Sequence, residues 1–380
     1  MRVTRFLLTA LLVVSLPLAG SADVKPGYVQ PFARTDMVAA ANPLAAEAGL
    51  EMLRAGGSAV DAAIAVQMVL GLVEPESSGI GGGAFMLVFN PKTKETTSFD
   101  GREVAPASAT PGMFLNAEGK PRSKPEAIPG GLSVGIPGVV GMLELAHKKN
   151  GRLPWARLFQ PAIKLADEGF PVGPKLARTI KNFSRGANMP DIRAHFYHAD
   201  GTPLAEGDIY RNPEYAQSLR LIAAGGAKAF YTGEIAQAIV DKVQHAPVNQ
   251  GGMTLADLAG FKALERAPVC GPYREWRLCS MGPPSSGGIA IVQILGMLQR
   301  FPSSQLQPGS LSEAHLFTQA SRLAYADRAK YVGDTAFVDV PIAGLLDRNY
   351  IAGRAALIDP NRDMRSEEHT SELQSRETIS

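Results

Sequence analysis

The sequence predicts a mixed α/β (α+β) chain in which helices outweigh strands. Three observations carry that expectation. Polar capping signals stand at the heads of apolar runs of helix length, as at Ser58-Ala-Val-Asp61, Thr254-Leu-Ala-Asp257 and Ser310-Leu-Ser-Glu313. The strand-like runs cluster in three places. Residues 74–89, Glu-Pro-Glu-Ser-Ser-Gly-Ile-Gly-Gly-Gly-Ala-Phe-Met-Leu-Val-Phe, lead from an apolar helix through glycines into a strand. Gly79 to Ala84 does fit G-x-G-x-x-A, but a dinucleotide site needs strand, glycines and then helix, so that the helix N-terminus faces the pyrophosphate. The order here is reversed. It reads as a tight passage between a buried helix and a buried strand.

Taken in order, Asn42-Pro43 opens a helix to about Arg54, stopped by Gly56-Gly57. Ser58 and Asp61 start a second helix, to about Leu70, apolar nearly all round and therefore buried on every side. Strands follow at Ala84 to Phe89 and Glu95 to Phe99. A loop rich in proline and glycine runs from Val104 to Pro137, where a helix begins and continues to Lys149. Leu153 to Glu168 reads as one helix and Lys181 to Asn212 as an irregular, polar excursion. Helices are expected near 213–225, 232–244 and from Thr254. A hairpin is expected around Cys270 and Cys279, a helix from Gly288 to about Leu298, and a last long helix from Ser310 to near Tyr331.

With 380 residues, 45% hydrophobic and 19% charged, the chain can bury a large core. A net charge of +2 is too small to point to nucleic acid or a membrane surface. Arg2 and Arg5, the apolar Phe6 to Leu18 and the small Gly20-Ser21-Ala22 make a signal peptide, with about the first 22 residues removed on export to the periplasm or medium. The two cysteines, Cys270 and Cys279, would face each other if Arg274-Glu275 is a two-residue turn. Export permits oxidation, but Arg-Glu is a poor hairpin turn. A bridge and two separate small apolar residues both stay open. Residues 365–380 change character, and Arg-Ser-Glu-Glu-His-Thr-Ser-Glu-Leu-Gln-Ser resembles the conceptual translation of a sequencing-library adapter. Residues 23–364 are therefore taken as the genuine domain.

Candidate chemistry is sparse. Gly131-Leu-Ser133-Val-Gly135 matches G-x-S-x-G, yet the prolines before it exclude the buried strand that a nucleophile elbow needs. His195 and His198, with Asp191 and Asp200 nearby, lack a helical or hairpin frame for a metal. Asp100-Gly-Arg102-Glu ends the second strand. By spacing alone it reads as a turn with a surface ion pair, or as an arginine fork awaiting a carboxylate.

Several motifs resemble the γ-glutamyltransferase family. They are Met37-Val-Ala-Ala-Ala-Asn-Pro43, Gly56-Gly-Ser-Ala-Val-Asp-Ala-Ala63, Glu74-Pro75, Ser78-Gly-Ile-Gly-Gly-Gly83 and Asp100-Gly-Arg-Glu-Val-Ala-Pro106. Gly135-Ile-Pro-Gly138, Pro283-Pro-Ser-Ser-Gly-Gly288 and Ala324-Tyr-Ala-Asp-Arg328 extend the resemblance over about residues 28–362. It implies an exported precursor with the N-terminal-nucleophile hydrolase fold, an αββα sandwich of two facing sheets between helix layers, of which this chain is the large-subunit part. It implies a substrate such as glutathione or another γ-glutamyl compound, whose glutamyl group passes to water, an amino acid or a peptide. No metal or organic cofactor is implied. Arg102 takes the place of the family's arginine for the glutamyl α-carboxylate. The nucleophilic threonine would begin a small subunit beyond Asp359-Pro360 and is expected to be missing here, leaving this chain inactive. Thr370, in the adapter-like stretch, lacks the family's surrounding motif. Three other readings remain: a cephalosporin-acylase-like relative, a serine hydrolase using Ser133, and a non-catalytic γ-glutamyl-binding module.

Overall fold

In the computed structural model, residues 35–183 and 189–364 are described, and from Val38 onward they form one compact unit. The expected signal peptide and residues 365–380, with Thr370, lie outside the described residues.

Local signals act where the sequence places them. Asn42 accepts the Leu44 N–H at 3.0 Å and starts Pro43–Arg54. Ser58 and Asp61 cap each other to start Ala59–Val73. Asp61 is fully buried, and its Oδ2 also accepts the N–H groups of Arg152 (2.9 Å) and Leu153 (3.2 Å). His147 Nε2 lies 2.9 Å from the Leu153 carbonyl and 3.5 Å from Asp61 Oδ1. One carboxylate thus joins a helix start to a turn far along the chain. Glu74, also buried, ends the second helix and pairs with Lys175, which reaches Glu76 at 3.2 Å as well.

Ala84–Asn90, Glu95–Gly101 and Leu264–Arg266 form an antiparallel sheet in that spatial order. Phe99 is fully buried against the main core, which the first two helices build with Val139–Asn150, Gln160–Glu168 and Pro213–Thr232. A second core joins Gly287–Leu298, Leu311–Tyr331 and Arg348–Ala356. There the Asp327 carboxylate is buried. Its Oδ1 accepts from Tyr350 and forms an ion pair with Arg354 (both 3.0 Å), and its Oδ2 accepts from Gln293 (2.9 Å). The hairpin Val269–Tyr273 and Trp276–Ser280 packs on Gly287–Leu298. Cys270 and Cys279 are direct register partners with Cα atoms 4.1 Å apart, and they are disulfide-bonded. Arg274 makes the two-residue turn workable by taking φ +52°, the left-handed value such hairpins need.

The departures have local causes. Leu153 to Glu168 is not one helix. A 3-10 turn, Trp155–Phe159, hands over to Gln160–Glu168, where Pro161 fits the first turn because no N–H is needed there. The helix from Pro213 does not stop near 225. Gly226 takes φ +66°, kinks the chain and lets it continue to Thr232, while Glu144 accepts the Ala227 N–H at 2.9 Å. The 181–212 excursion holds a helix, Pro190–Phe196, and a strand, Ile209–Tyr210, paired with Phe170–Pro171. Pro174–Asn182, Ile342–Leu345, Arg348–Ala356 and the strand Leu264–Arg266 were not expected from the sequence. Asp100-Gly101 is not a turn. Both residues still belong to the strand, Asp100 opposite Phe85 and Leu264, and Gly101 opposite Ala84. No helix among the described residues is long and apolar enough to cross a membrane.

Candidate functional site

The strand Glu95–Gly101 ends at a cleft of about 290 Å³. Arg102 lies on its wall with Asp100, Glu103, Lys262, Arg266 and Asp334. Asp100 is 6% exposed, and both its oxygens are engaged. Oδ1 accepts the Arg102 backbone N–H at 2.9 Å, and Oδ2 accepts Arg266 Nε at 2.6 Å. Arg266 Nη1 reaches Thr335 Oγ1 at 3.5 Å. Asp100 and Arg266 therefore neutralise each other. The exposed Arg102 guanidinium has no ion-pair or hydrogen-bond partner among the described residues. A planar guanidinium carried at a strand end and left without a partner among the described residues is suited to a carboxylate held through two parallel hydrogen bonds.

The glycine passage shapes one side of this region. A β-carbon on Gly83 would stand 2.5 Å from Glu103 Oε2 and 2.8 Å from the Gly101 carbonyl oxygen, so only glycine leaves room there. The Gly82 carbonyl accepts the N–H groups of Gly138 (2.9 Å) and Val139 (3.1 Å), satisfying donors at the start of Val139–Asn150. The passage thus braces the cleft by backbone contact and offers no helix N-terminus of its own to an anion.

Other candidates fall elsewhere. Ser133 Oγ donates to the Ile128 carbonyl at 2.6 Å within a loop, with no strand before it and no histidine bonded to it. His198 Nε2 bonds Asp208 at 3.0 Å, Asp200 accepts from Thr202, Asp191 pairs with Lys242, and His195 packs on Phe196. Among the described residues no group of three or more His, Cys, Asp or Glu side chains is placed to hold a metal ion. The disulfide lies on the hairpin, away from the residues that line the Arg102 cleft. Sequence reasoning missed Asp100 and Arg266 as a pair. An aspartate two residues before Arg102 is the signal of a side chain turning back onto the backbone. Arg266 sits in a short polar strand and gave no signal.

The family profile described as Gamma-glutamyltranspeptidase matches residues 45–379. The chain belongs to this family. It is 40% identical over 359 residues to a glutathione hydrolase proenzyme of Bacillus subtilis (strain 168), covering 93% of this chain and 60% of that protein. It is 41% identical over 338 residues to the Escherichia coli (strain K12) glutathione hydrolase proenzyme, covering 88% and 57%. The crystal structure of Helicobacter pylori gamma-glutamyltranspeptidase superposes with a TM-score of 0.86 at 33% identity, over 91% of this chain and 99% of that one. The chain thus spans about 60% of the length of the curated relatives it matches. Its mixed helix-and-sheet architecture is that of N-terminal-nucleophile hydrolases.

Proposed function

We propose that the gene encodes an exported gamma-glutamyltranspeptidase precursor. It would cleave the γ-glutamyl amide of glutathione or a similar compound and pass the glutamyl group to water, an amino acid or a peptide. In that reading this chain is the large-subunit portion, and Arg102 anchors the α-carboxylate of the glutamyl group. The observation that carries it is the Arg102 guanidinium at the strand end, without an ion-pair or hydrogen-bond partner among the described residues, beside a carboxylate already neutralised by Arg266. The relatives' lengths fit the same reading. The proenzymes extend well beyond this chain, whereas the solved Helicobacter pylori chain is covered almost completely.

The chemistry would be shared between two chains. Arg102 fixes one end of the substrate, so that the γ-carbonyl is presented at a set distance from it. A threonine outside this chain, activated by its own free amine, would attack that carbonyl and expel the amine of the leaving group. The acyl-enzyme then yields to water or an acceptor amine. In this reading the small subunit is the partner with which this chain would complete the site.

The test is the complete precursor, expressed from the uninterrupted reading frame and assayed with a chromogenic γ-glutamyl anilide. Arg102→Ala should raise KM about a hundredfold, the loss of one charge-assisted, two-pronged contact. Arg102→Lys should fall between. An unchanged KM in R102A would remove Arg102 from the site. Export is checked on the same preparation, whose mature N-terminus should lie near Asp23.

A further inference from the structure

We infer that Arg266 is a positioning residue. By keeping the Asp100 carboxylate occupied, it prevents that carboxylate from capturing Arg102. The inference rests on the reading of Arg102 as the carboxylate anchor and assigns the device that keeps the anchor open.

The geometry is specific. Asp100 is nearly sealed from water and already holds the Arg102 backbone through Oδ1. Its other oxygen takes Arg266 Nε at 2.6 Å. If Arg266 lost its guanidinium, a buried carboxylate would stand without a cation, which is strongly unfavourable. The next guanidinium along the cleft wall is that of Arg102, two residues away on the same chain. An intramolecular carboxylate outcompetes a dissolved one, because tethering gives it an effective concentration in the millimolar range or above. Arg102 would then fold onto Asp100 and be lost to the substrate. The other acids on the wall are less suited to replace Asp100. Asp334 already accepts the Ala336 N–H at 2.9 Å, and Glu103 lies over Gly83.

The backbone of Arg266 does not depend on its side chain. It pairs with Ser98 in the sheet, and Ser98 Oγ donates to the Arg266 carbonyl at 2.7 Å. Removing the guanidinium should therefore leave the strand in place.

The complete precursor is again the protein to test, with the same glutamyl anilide. Arg266→Met should raise KM about tenfold while kcat stays within about twofold, the mark of lost ground-state binding. Arg266→Lys should stay near the parental KM, since an ammonium still occupies Asp100. The deciding variant is the double D100N/R266M. Its neutral amide can still accept the Arg102 N–H but no longer attracts the guanidinium, so KM should return to within about threefold of the parent. A merely structural brace would be damaged further by the second change. Arg266→Gln, which leaves a polar side chain in the strand but no cation on Asp100, should raise KM in the same way and serves as the test if R266M is poorly soluble. A parental KM in R266M and R266Q, or a double variant no better than R266M, would overturn the inference. R102A run in parallel separates the two claims. If it raises KM and R266M does not, the anchor stands and the positioning role falls. If R102A leaves KM unchanged, both fall.

Discussion

Gly101 and Gly138 meet backbone to backbone: a β-carbon on Gly101 would stand 2.7 Å from the Gly138 carbonyl oxygen and 2.5 Å from Met142 Cβ. The residue before Arg102 is thereby pressed against the start of Val139–Asn150. Side chains of any size would separate the two, so the direction in which the chain leaves the strand is set by two missing β-carbons.

Gly138→Ala should therefore cost about 1–3 kcal/mol, the range for overpacking a tight contact. Urea unfolding of the complete precursor measures it. A parental midpoint would show that the strand end and the helix can move apart freely.

Asp257 predicts part of the acid limb of stability. Its Oδ1 accepts the Ala107 N–H at 2.9 Å, and its Oδ2 accepts from Thr254 N–H (2.8 Å) and Oγ1 (2.7 Å). The Ala107 N–H first, and Thr254 after it, hold its carboxyl below the usual aspartate range. A folded value below the unfolded one, roughly 3.9, means that this stabilisation is present above that pH and is lost as pH falls through the folded value. Asp257→Asn should be less stable at neutral pH but lose less on acidification. Urea midpoints between about pH 6 and pH 3 compare the slopes. Parallel slopes would show that this carboxylate takes no part.

The Cys270–Cys279 bridge closes a short loop, with a sequence separation of 9. Chain-entropy arithmetic gives about 2–3 kcal/mol for a loop of that size. The double C270S/C279S variant should unfold earlier by about 2 kcal/mol, because the hairpin retains its ladder without the bridge. Alkylation before and after reduction, read by mass, should find thiols only after reduction in exported material. Free thiols at the outset would remove the bridge from the native protein.

Ala84–Asn90 lies at a sheet edge with Phe89 57% and Leu87 40% exposed, and Trp276 on the hairpin is 63% exposed. Unpaired edges bearing large apolar side chains invite association. A polypeptide ending at Met364 should bind a naphthalene-sulfonate dye and self-associate on a sizing column. A monomer that melts cooperatively without binding dye would contradict this.

The sequence was most legible where cause and effect lie within one helical turn. Asn42, Ser58 with Asp61, Thr254 with Asp257, and Ser310 each mark a helix start, and each cap is present. The Cys270–Cys279 register followed from a turn of two residues. Elements fixed by distant partners were not legible. Leu264–Arg266 is short and polar, and it is a strand only because Ser98 to Asp100 lie beside it. Pro174–Asn182 sits in a polar stretch, and its two buried residues, Leu176 and Ile180, are the i, i+4 pair of a single face. At the cleft, Arg102 was visible through family motifs, but its freedom was not. That depends on an ion pair between residues 166 positions apart.

Asp61 sets an order of events at the ribosome. Its carboxylate is already committed to the start of Ala59–Val73, yet it stays under-bonded until Arg152 and Leu153, about ninety residues downstream, have been synthesised. A nascent chain shorter than that holds the second helix around a half-satisfied buried charge, which disfavours its final packing. The amino-terminal third should therefore stay open to protease in arrested chains ending before residue 150, and full protection should wait until Gln160–Glu168 and Pro213–Thr232, which complete the core around it, have cleared the exit tunnel.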